Sequence, residues 1–328
     1  MLIKVLSPYP EKDASSIAHV ARQYVSALQS VGTKAEFEFI EQHLQAKHGG
    51  FIRPFLGNLI RSYPRGEEIV RHAVLPIIAW RNTDVVTFYD DWWFAGKSSG
   101  ILPVLERLYV LKAAKRVRFS IVLTEGTRSI YLEKTGAPPS SVRTIGIPFA
   151  PVEVTHLPQK RDVLWIGTVS PRKRISLLYA ALREIKMPLR VSVIIHGNRG
   201  SPQNCSPHLV QHISETLSEK EIDNAYRTSR CFVATGEHEG FIMPAMEAYL
   251  RGTPIVVPRC PPSTDIYPET AEGVFFFDES SPTSLMNAII EARDMAQCVP
   301  DSSVIRRFSY AQVGEELTRL YQEALNQK

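Results

Sequence analysis

Two glutamates and one basic turn are the residues of this chain whose types and spacing could do chemistry. The glutamates lie in Cys231–Pro258, CFVATGEHEGFIMPAMEAYLRGTPIVVP. Glu239 falls in a loop and Glu247, eight residues on, in a helix. Pro244 suits the first turn of that helix, because its fixed φ fits there and its missing N–H costs nothing. The N–H groups of Gly240, Phe241, Ile242 and Met243 then fall near a helix N-terminus. Such an end offers unpaired donors and a partial positive charge, so it can hold a phosphate. A carboxylate beside that phosphate would repel it and fits better as an acceptor for hydroxyls. The bare reading is a site for a phosphate flanked by hydroxyl-bearing rings. Two glutamates at this spacing, taken alone, are more often a solvated loop and a helix face.

The basic turn is Arg172-Lys173-Arg174 in GTVSPRKR, residues 167–174. It follows the apolar run Val163–Ile166, so it sits at the end of a predicted strand. Taken alone it reads as a solvated turn. Beside a phosphate-binding helix end, Arg172 and Lys173 become candidates for gripping the same anion.

Residues 239–258, EGFIMPAMEAYLRGTPIVVP, resemble the E-x7-E region of retaining glycosyltransferases of family four, which often reads EGFGLPxLEAMAxGxPVV. GTVSPRKR is similar to that family's G-x-L-x-P-x-K loop, with Lys173 in the place of its lysine and Gly167 opening it. The family's frequent arginine after the glycine is Thr168 here. The resemblance implies an α/β GT-B fold, with two Rossmann-like domains facing an interdomain cleft. It implies a nucleotide diphosphate sugar as co-substrate, with no separate cofactor. By resemblance Glu247 holds the donor ribose, and Glu239 lies beside the transferred sugar. Lys173, Arg172, Gly167, Thr168 and the Gly240–Met243 amides meet the diphosphate, and Gly197 lies where relatives pass the donor.

The elements that must position these residues follow from periodicity. Leu2–Leu6, a helix from Ile17 to Leu28, and Lys34–Ile40 make a Rossmann-like opening. Ser15-Ser16 stands where relatives often carry a glycine pair. Asp84–Phe88 is a predicted strand ending at Tyr89-Asp90, where many relatives have a histidine–aspartate pair. Asp90 is a candidate to accept a hydrogen bond from the acceptor hydroxyl, and Trp92 and Trp93 could stack on a sugar or pack in the core. Asp90-Asp91 is not a DxD, and no metal site is expected. His208 and His212, four apart, would share a helix face without a third ligand. Further strands are expected at Phe119–Leu123, Val191–Ile195 and Gly273–Phe277. Helices are expected at Leu102–Ala114, Ile175–Ile185 and Ser218–Arg230, the last with a Ser218/Glu221 capping box. Arg259–Phe277 begins as a proline-rich loop over the nucleotide.

Domains are expected at residues 1–155 for the acceptor and 156–309 for the donor, with a helix from 310 to 328 crossing back. Pro148–Arg161 reads as the linker. The 328 residues suit two domains, and a 44% apolar composition is ample for cores and too low for a membrane protein. The opening MLIKVLSPYP lacks a signal peptide's long apolar segment. Cys205, Cys231, Cys260 and Cys298 form no CxxC pair, which points to a reducing cytoplasm.

Residues 1–155 hold 19 Lys and Arg against 14 Asp and Glu, a balance of +5, while residues 156–328 balance at −1. The basic half favours an acidic partner. Residues 51–81 mix apolar residues with Arg53, Arg61, Arg65 and Arg71. They read either as a helical pair packed on a sheet with solvated arginines, or as a patch for an anionic membrane surface. No nucleic-acid signature is present. The expected function is retaining, metal-independent transfer of a sugar to a hydroxyl of a glycan, glycolipid or small molecule. UDP- and GDP-sugars are not distinguished. The alternative is a non-catalytic GT-B protein that binds an acceptor or a partner transferase. The expected place is the cytoplasm, with peripheral attachment at the inner face of the membrane if the basic patch meets lipid.

Overall fold

A computed structural model describes residues 1–13, 15–40, 62–64, 66, 68–76, 79, 81–89, 101–155, 157–195, 209–213, 217–237 and 239–327. Asp90, Asp91, Trp92, Trp93, Gly197, His208 and most of the 51–81 stretch lie outside them. The chain forms two compact units: residues 1–151 with 306–328, and residues 152–305.

Unit 1 opens with β1 (Leu2–Ser7), α1 (Ser16–Ser30) and β2 (Ala35–Phe39). Ser15 caps α1 by accepting the Ala18 N–H, and Gly32 turns the chain with φ +77°. There follow β3 (Ile69–Ala73), β4 (Val85–Phe88), α2 (Ile101–Arg116), β5 (Phe119–Val122), α3 (Glu125–Thr135) and β6 (Val142–Thr144). The strands make one parallel sheet in the order β2-β1-β3-β4-β5-β6. The order reverses between β1 and β3, the pattern of doubly wound α/β sheets.

β3 corrects the expectation of helix or lipid patch over residues 69–73. Arg71 is neither solvated nor lipid-facing: it is 5% exposed, with its guanidinium 5.8 Å from the Tyr63 ring centre. Its backbone N–H donates to Asp84 Oδ2 at 3.0 Å. Among the described residues, no helix is long and apolar enough to cross a membrane.

Unit 2 contains β7 (Arg161–Gly167), α4 (Ile175–Glu184), β8 (Arg190–Ile195), β9 (Leu209–Ile213), α5 (Glu219–Arg227), β10 (Ser229–Val233), α6 (Met243–Leu250), β11 (Ile255–Pro258), α7 (Pro261–Ile266), β12 (Val274–Phe277) and α8 (Pro282–Met295), and α9 (Ser302–Arg307) begins in unit 2 and ends in unit 1. The Ser218/Glu221 capping box forms as expected. Two readings are corrected. His212 lies on strand β9, so it has no helix face to share, and its ring meets the Tyr179 hydroxyl at 3.0 Å. Pro261–Ile266 is a short helix within the expected loop. The sheet is parallel, in the order β12-β11-β10-β7-β8-β9. Val163, Val191, Val233 and Val256 from its strands pack with Leu178, Leu182 and Ile289 from α4 and α8.

The last helix, α10 (Tyr310–Asn326), belongs to unit 1 and packs along α1. The helices approach so closely that a Cβ at Gly314 would lie 2.3 Å from the Ala27 carbonyl oxygen. The helix also pins β3 through His72, which is 0% exposed. His72 Nδ1 lies 2.7 Å from the Tyr321 hydroxyl and Nε2 lies 2.6 Å from Thr87 Oγ1. Hydroxyls can satisfy a neutral imidazole but do not offset its charge. Burial therefore lowers the His72 pKa to about 3.

The sign of the resulting pH dependence follows from linkage. Between pH 6.5 and 3 the unfolded imidazole binds a proton that the folded one refuses, so stability falls as pH falls through that window. From pH 7 to pH 5 the loss should be about 2 kcal/mol, at 1.36 kcal/mol per unit below the unfolded pKa. His72→Gln should lack this component. Denaturant titrations at the two pH values test it, and equal pH slopes in parent and variant would contradict it.

Candidate functional site

β7 and β10 are parallel neighbours, and between them the strand order of unit 2 reverses. Loops leaving the carboxyl ends of such a pair diverge and leave a crevice, the usual ligand position in an open α/β sheet. The basic turn leaves β7 and the glutamate loop leaves β10, so both arrive at this point.

The two loops are tied together. Trp165 Nε1 donates to Thr235 Oγ1 at 3.1 Å, and that hydroxyl donates to the Lys173 carbonyl at 2.7 Å. The Glu237 N–H donates to the Arg172 carbonyl at 2.9 Å. Pro171–Lys173 forms a single 3-10 turn, and Arg174 follows with φ +47°. This left-handed residue is a sterically costly choice for a side-chain-bearing position. The guanidinium of Arg174 lies 4.0 Å from Glu237 and donates to the Glu279 carbonyl.

Above this tie the charged groups meet. Lys173 Nζ stands 2.8 Å from Glu239 Oε1, and Arg172 Nη1 stands 3.9 Å from the same oxygen. The Glu239 side chain is 10% exposed and that of Lys173 21%. Partial burial strengthens the pairing relative to a surface ion pair and makes an unpaired charge costly. Gly236 makes room for the carboxylate, since a Cβ there would lie 2.7 Å from Glu239 Oε1. Gly167 has a similar local reason: a Cβ would lie 2.8 Å from the Trp165 indole. Thr168 is exposed at the mouth of the turn.

The helix end departs from the sequence reading at one amide. Gly240, Phe241 and Ile242 precede α6 as expected, but the Met243 N–H is bonded to the Phe241 carbonyl at 3.2 Å. The Met243 N–H is thereby engaged within the chain. The Ile242 carbonyl receives Ala245 and Met246 at 3.0 and 3.1 Å, which starts the helix.

Glu247 lies on α6, with Oε2 accepting the Tyr226 hydroxyl at 2.8 Å. Desolvation raises its pKa, while the Tyr226 hydrogen bond and the charge of Arg251 oppose the rise. Arg251 is itself fixed: it donates to the Glu247 carbonyl at 2.8 Å and to Asp223 at 2.7 Å, and lies over the Tyr226 ring. Asp223 is partly desolvated, yet Arg227 and Arg251 hold its carboxyl below the usual range.

Sequence reasoning missed Thr235, Gly236, Trp165 and Tyr226. Their roles need the adjacency of β7 and β10, or of α5 and α6, which local pattern does not contain. Gly236 alone carried a signal, as a glycine three residues before the loop glutamate. Asp90 and Gly197 lie outside the described residues. Among the described residues there is no group of three His, Cys, Asp or Glu side chains that could hold a metal ion.

The chain is similar to a sucrose-phosphate synthase from Thermosynechococcus elongatus, with a TM-score of 0.72 and 13% identity over 100% of each chain. It is also similar to Anabaena Alr3699/HepE, solved in complex with UDP and glucose, with a TM-score of 0.65 and 12% identity over 98% of this chain and 100% of that one. These likenesses establish a two-domain α/β architecture of the GT-B type. In sequence, 126 residues are 29% identical to O-antigen chain mannosyltransferase B of Escherichia coli, covering 34% of this chain and 33% of that protein. The chain thus matches about a third of that curated relative's length. Residues 150–297, which hold both loops and both glutamates, match the family described as "Glycosyl transferases group 1".

Proposed function

We propose that this protein is a retaining glycosyltransferase that moves a sugar from a nucleotide diphosphate sugar to a hydroxyl of a glycan, glycolipid or small molecule. The observation that carries the reading is the meeting of Lys173 and Glu239 where the strand order of unit 2 reverses, inside the stretch that matches group 1 glycosyl transferases. HepE, solved with UDP and glucose, and the mannosyltransferase relative favour a sugar donor.

In this reading the diphosphate lies against Lys173, Arg172 and the amides of Gly240, Phe241 and Ile242. Lys173 has three N–H donors, so its contact with Glu239 leaves two for phosphate oxygens. The ribose hydroxyls meet Glu247, whose Oε2 is taken by Tyr226. As the bond from the sugar's anomeric carbon to the diphosphate oxygen breaks, negative charge grows on the leaving group. Fixed cations and amides stabilise that charge without reorganising, and they do so without a metal ion. The acceptor oxygen bonds to the anomeric carbon on the face the leaving group vacates, and its proton passes to the departing diphosphate. Glu239 holds the transferred sugar through a hydroxyl. In unit 1 Asp90 is assigned to the acceptor.

Two measurements test the assignments. Lys173→Ala should weaken a nucleoside diphosphate roughly tenfold or more but leave the bare nucleoside nearly unchanged, while Glu247→Ala weakens both. The scale follows from about 1.5–3 kcal/mol for a charge-assisted hydrogen bond. Calorimetry finding both variants normal would remove the site.

Glu239→Gln should leave nucleoside diphosphate affinity unchanged or tighter, because the carboxylate no longer competes for Lys173. It should lower turnover roughly a hundredfold, the scale of losing one preorganised electrostatic contact. Weakened diphosphate binding with intact turnover would reverse the assignment.

A further inference from the structure

A second cluster of charge lies in unit 1, at the opposite end of its strands from the carboxyl edge. Residues 81–84 lead into β4, and Arg118 directly precedes β5. Together with the last turn of α2 they line a cavity of about 520 Å³, walled by Arg81, Asn82, Thr83, Asp84, Lys112, Arg116 and Arg118. This lining holds four cations and one carboxylate.

The carboxylate is already engaged. Asp84 Oδ2 accepts the Arg71 N–H at 3.0 Å, and Oδ1 lies 3.7 Å from Arg118. Arg118 also donates to the Ala324 carbonyl. Arg81, Lys112 and Arg116 form no ion pair among the described residues. Two polar atoms at the same wall are also unspent. Thr83 is 5% exposed and its hydroxyl has no hydrogen-bond partner, and Arg116 Nη1 is buried with none. Cations at a helix C-terminus have a ready structural reason in the helix dipole. That reason accounts for charge in the last turn of α2. It does not account for Arg81 on another segment, or for buried donors left without acceptors, which carry a desolvation cost.

We propose that this cavity is an anion site for a phosphomonoester-type group, bound by Arg81, Lys112 and Arg116 and separate from the site in unit 2. Three cations with no ion-pair partner among the described residues exceed what one carboxylate ligand would neutralise. A phosphomonoester carries about −1.5 to −2 charges at pH 7 and three strong acceptor oxygens, and a guanidinium meets such oxygens in pairs. The group could belong to a soluble phosphate ester or to a lipid headgroup.

The test uses the full chain carrying Lys173→Ala, so that the basic turn of unit 2 contributes nothing. Inorganic phosphate is titrated and its 31P linewidth followed. Parallel sedimentation uses phosphatidylcholine vesicles with and without phosphatidic acid. Saturable phosphate binding is expected, weakened roughly tenfold or more by Arg116→Gln and by the exposed Lys112→Gln. Lys134→Gln, on α3 and outside the cavity, should change nothing. Phosphatidic acid vesicles that sediment the parent but not these variants identify a lipid headgroup. Phosphate binding without vesicle binding identifies a soluble ester. Phosphate affinity that is absent in the parent, or equal in parent and both cavity variants, would overturn the proposal.

Discussion

The ion pair between Lys173 and Glu239 depends on one topological fact: β10 lies beside β7. Among the described residues, three strands and two helices separate the two in the chain. Only the return of the chain to the other side of β7 brings them to 2.8 Å. Every support of the pair uses the same adjacency. Trp165 reaches across to Thr235, Thr235 reaches back to the Lys173 carbonyl, and Glu237 bonds to Arg172. A partly buried cation facing a partly buried carboxylate resists loss of either partner, because the survivor would be left desolvated. The arrangement holds a cation at the mouth of the crevice with donors still to spare.

The same logic of buried polar groups separates the other features. His72 sits between two hydroxyls with no charged partner, so it stays neutral and serves as a pin between β3 and α10. Glu247 has a tyrosine donor and a nearby arginine held off by Asp223, so its environment is polar without being an ion pair. Asp162 is tied by the Arg190 N–H and surrounded by the side chains of Arg190, Arg230 and Arg293, which makes it a structural anchor for the start of β7. The cavity beneath β4 differs from all of these, because its donors outnumber its acceptors.

What could be read from the sequence was local. The Ser218 capping box and the place of Pro244 in the first turn of α6 are set by residues within a turn or two of each other, and both appear in the structure. The two site loops were legible for the same reason, since each is a short stretch beside one strand end. What lay hidden was non-local. Thr235 looks like the last residue of a strand, and only the neighbouring indole makes it a bridge. Met243 looks like an open amide, and only the local turn closes it onto Phe241. Arg71 and His72 gave β3 a polar pattern, because a fully buried strand position can hold a charged or titratable side chain when a neighbouring ring or hydroxyl receives it. His212 misled on β9 for another reason, because its spacing of four from His208 suits a helix as well.

The central claim is that the crevice between β7 and β10 holds a nucleoside diphosphate through Lys173. A crystal structure of the protein with a nucleoside diphosphate bound tests it most directly. The account predicts a phosphate oxygen within hydrogen-bond distance of Lys173 Nζ and the ribose hydroxyls on the Glu247 carboxylate. A diphosphate bound elsewhere, with Lys173 still held by Glu239 and Glu247 bare, would contradict it.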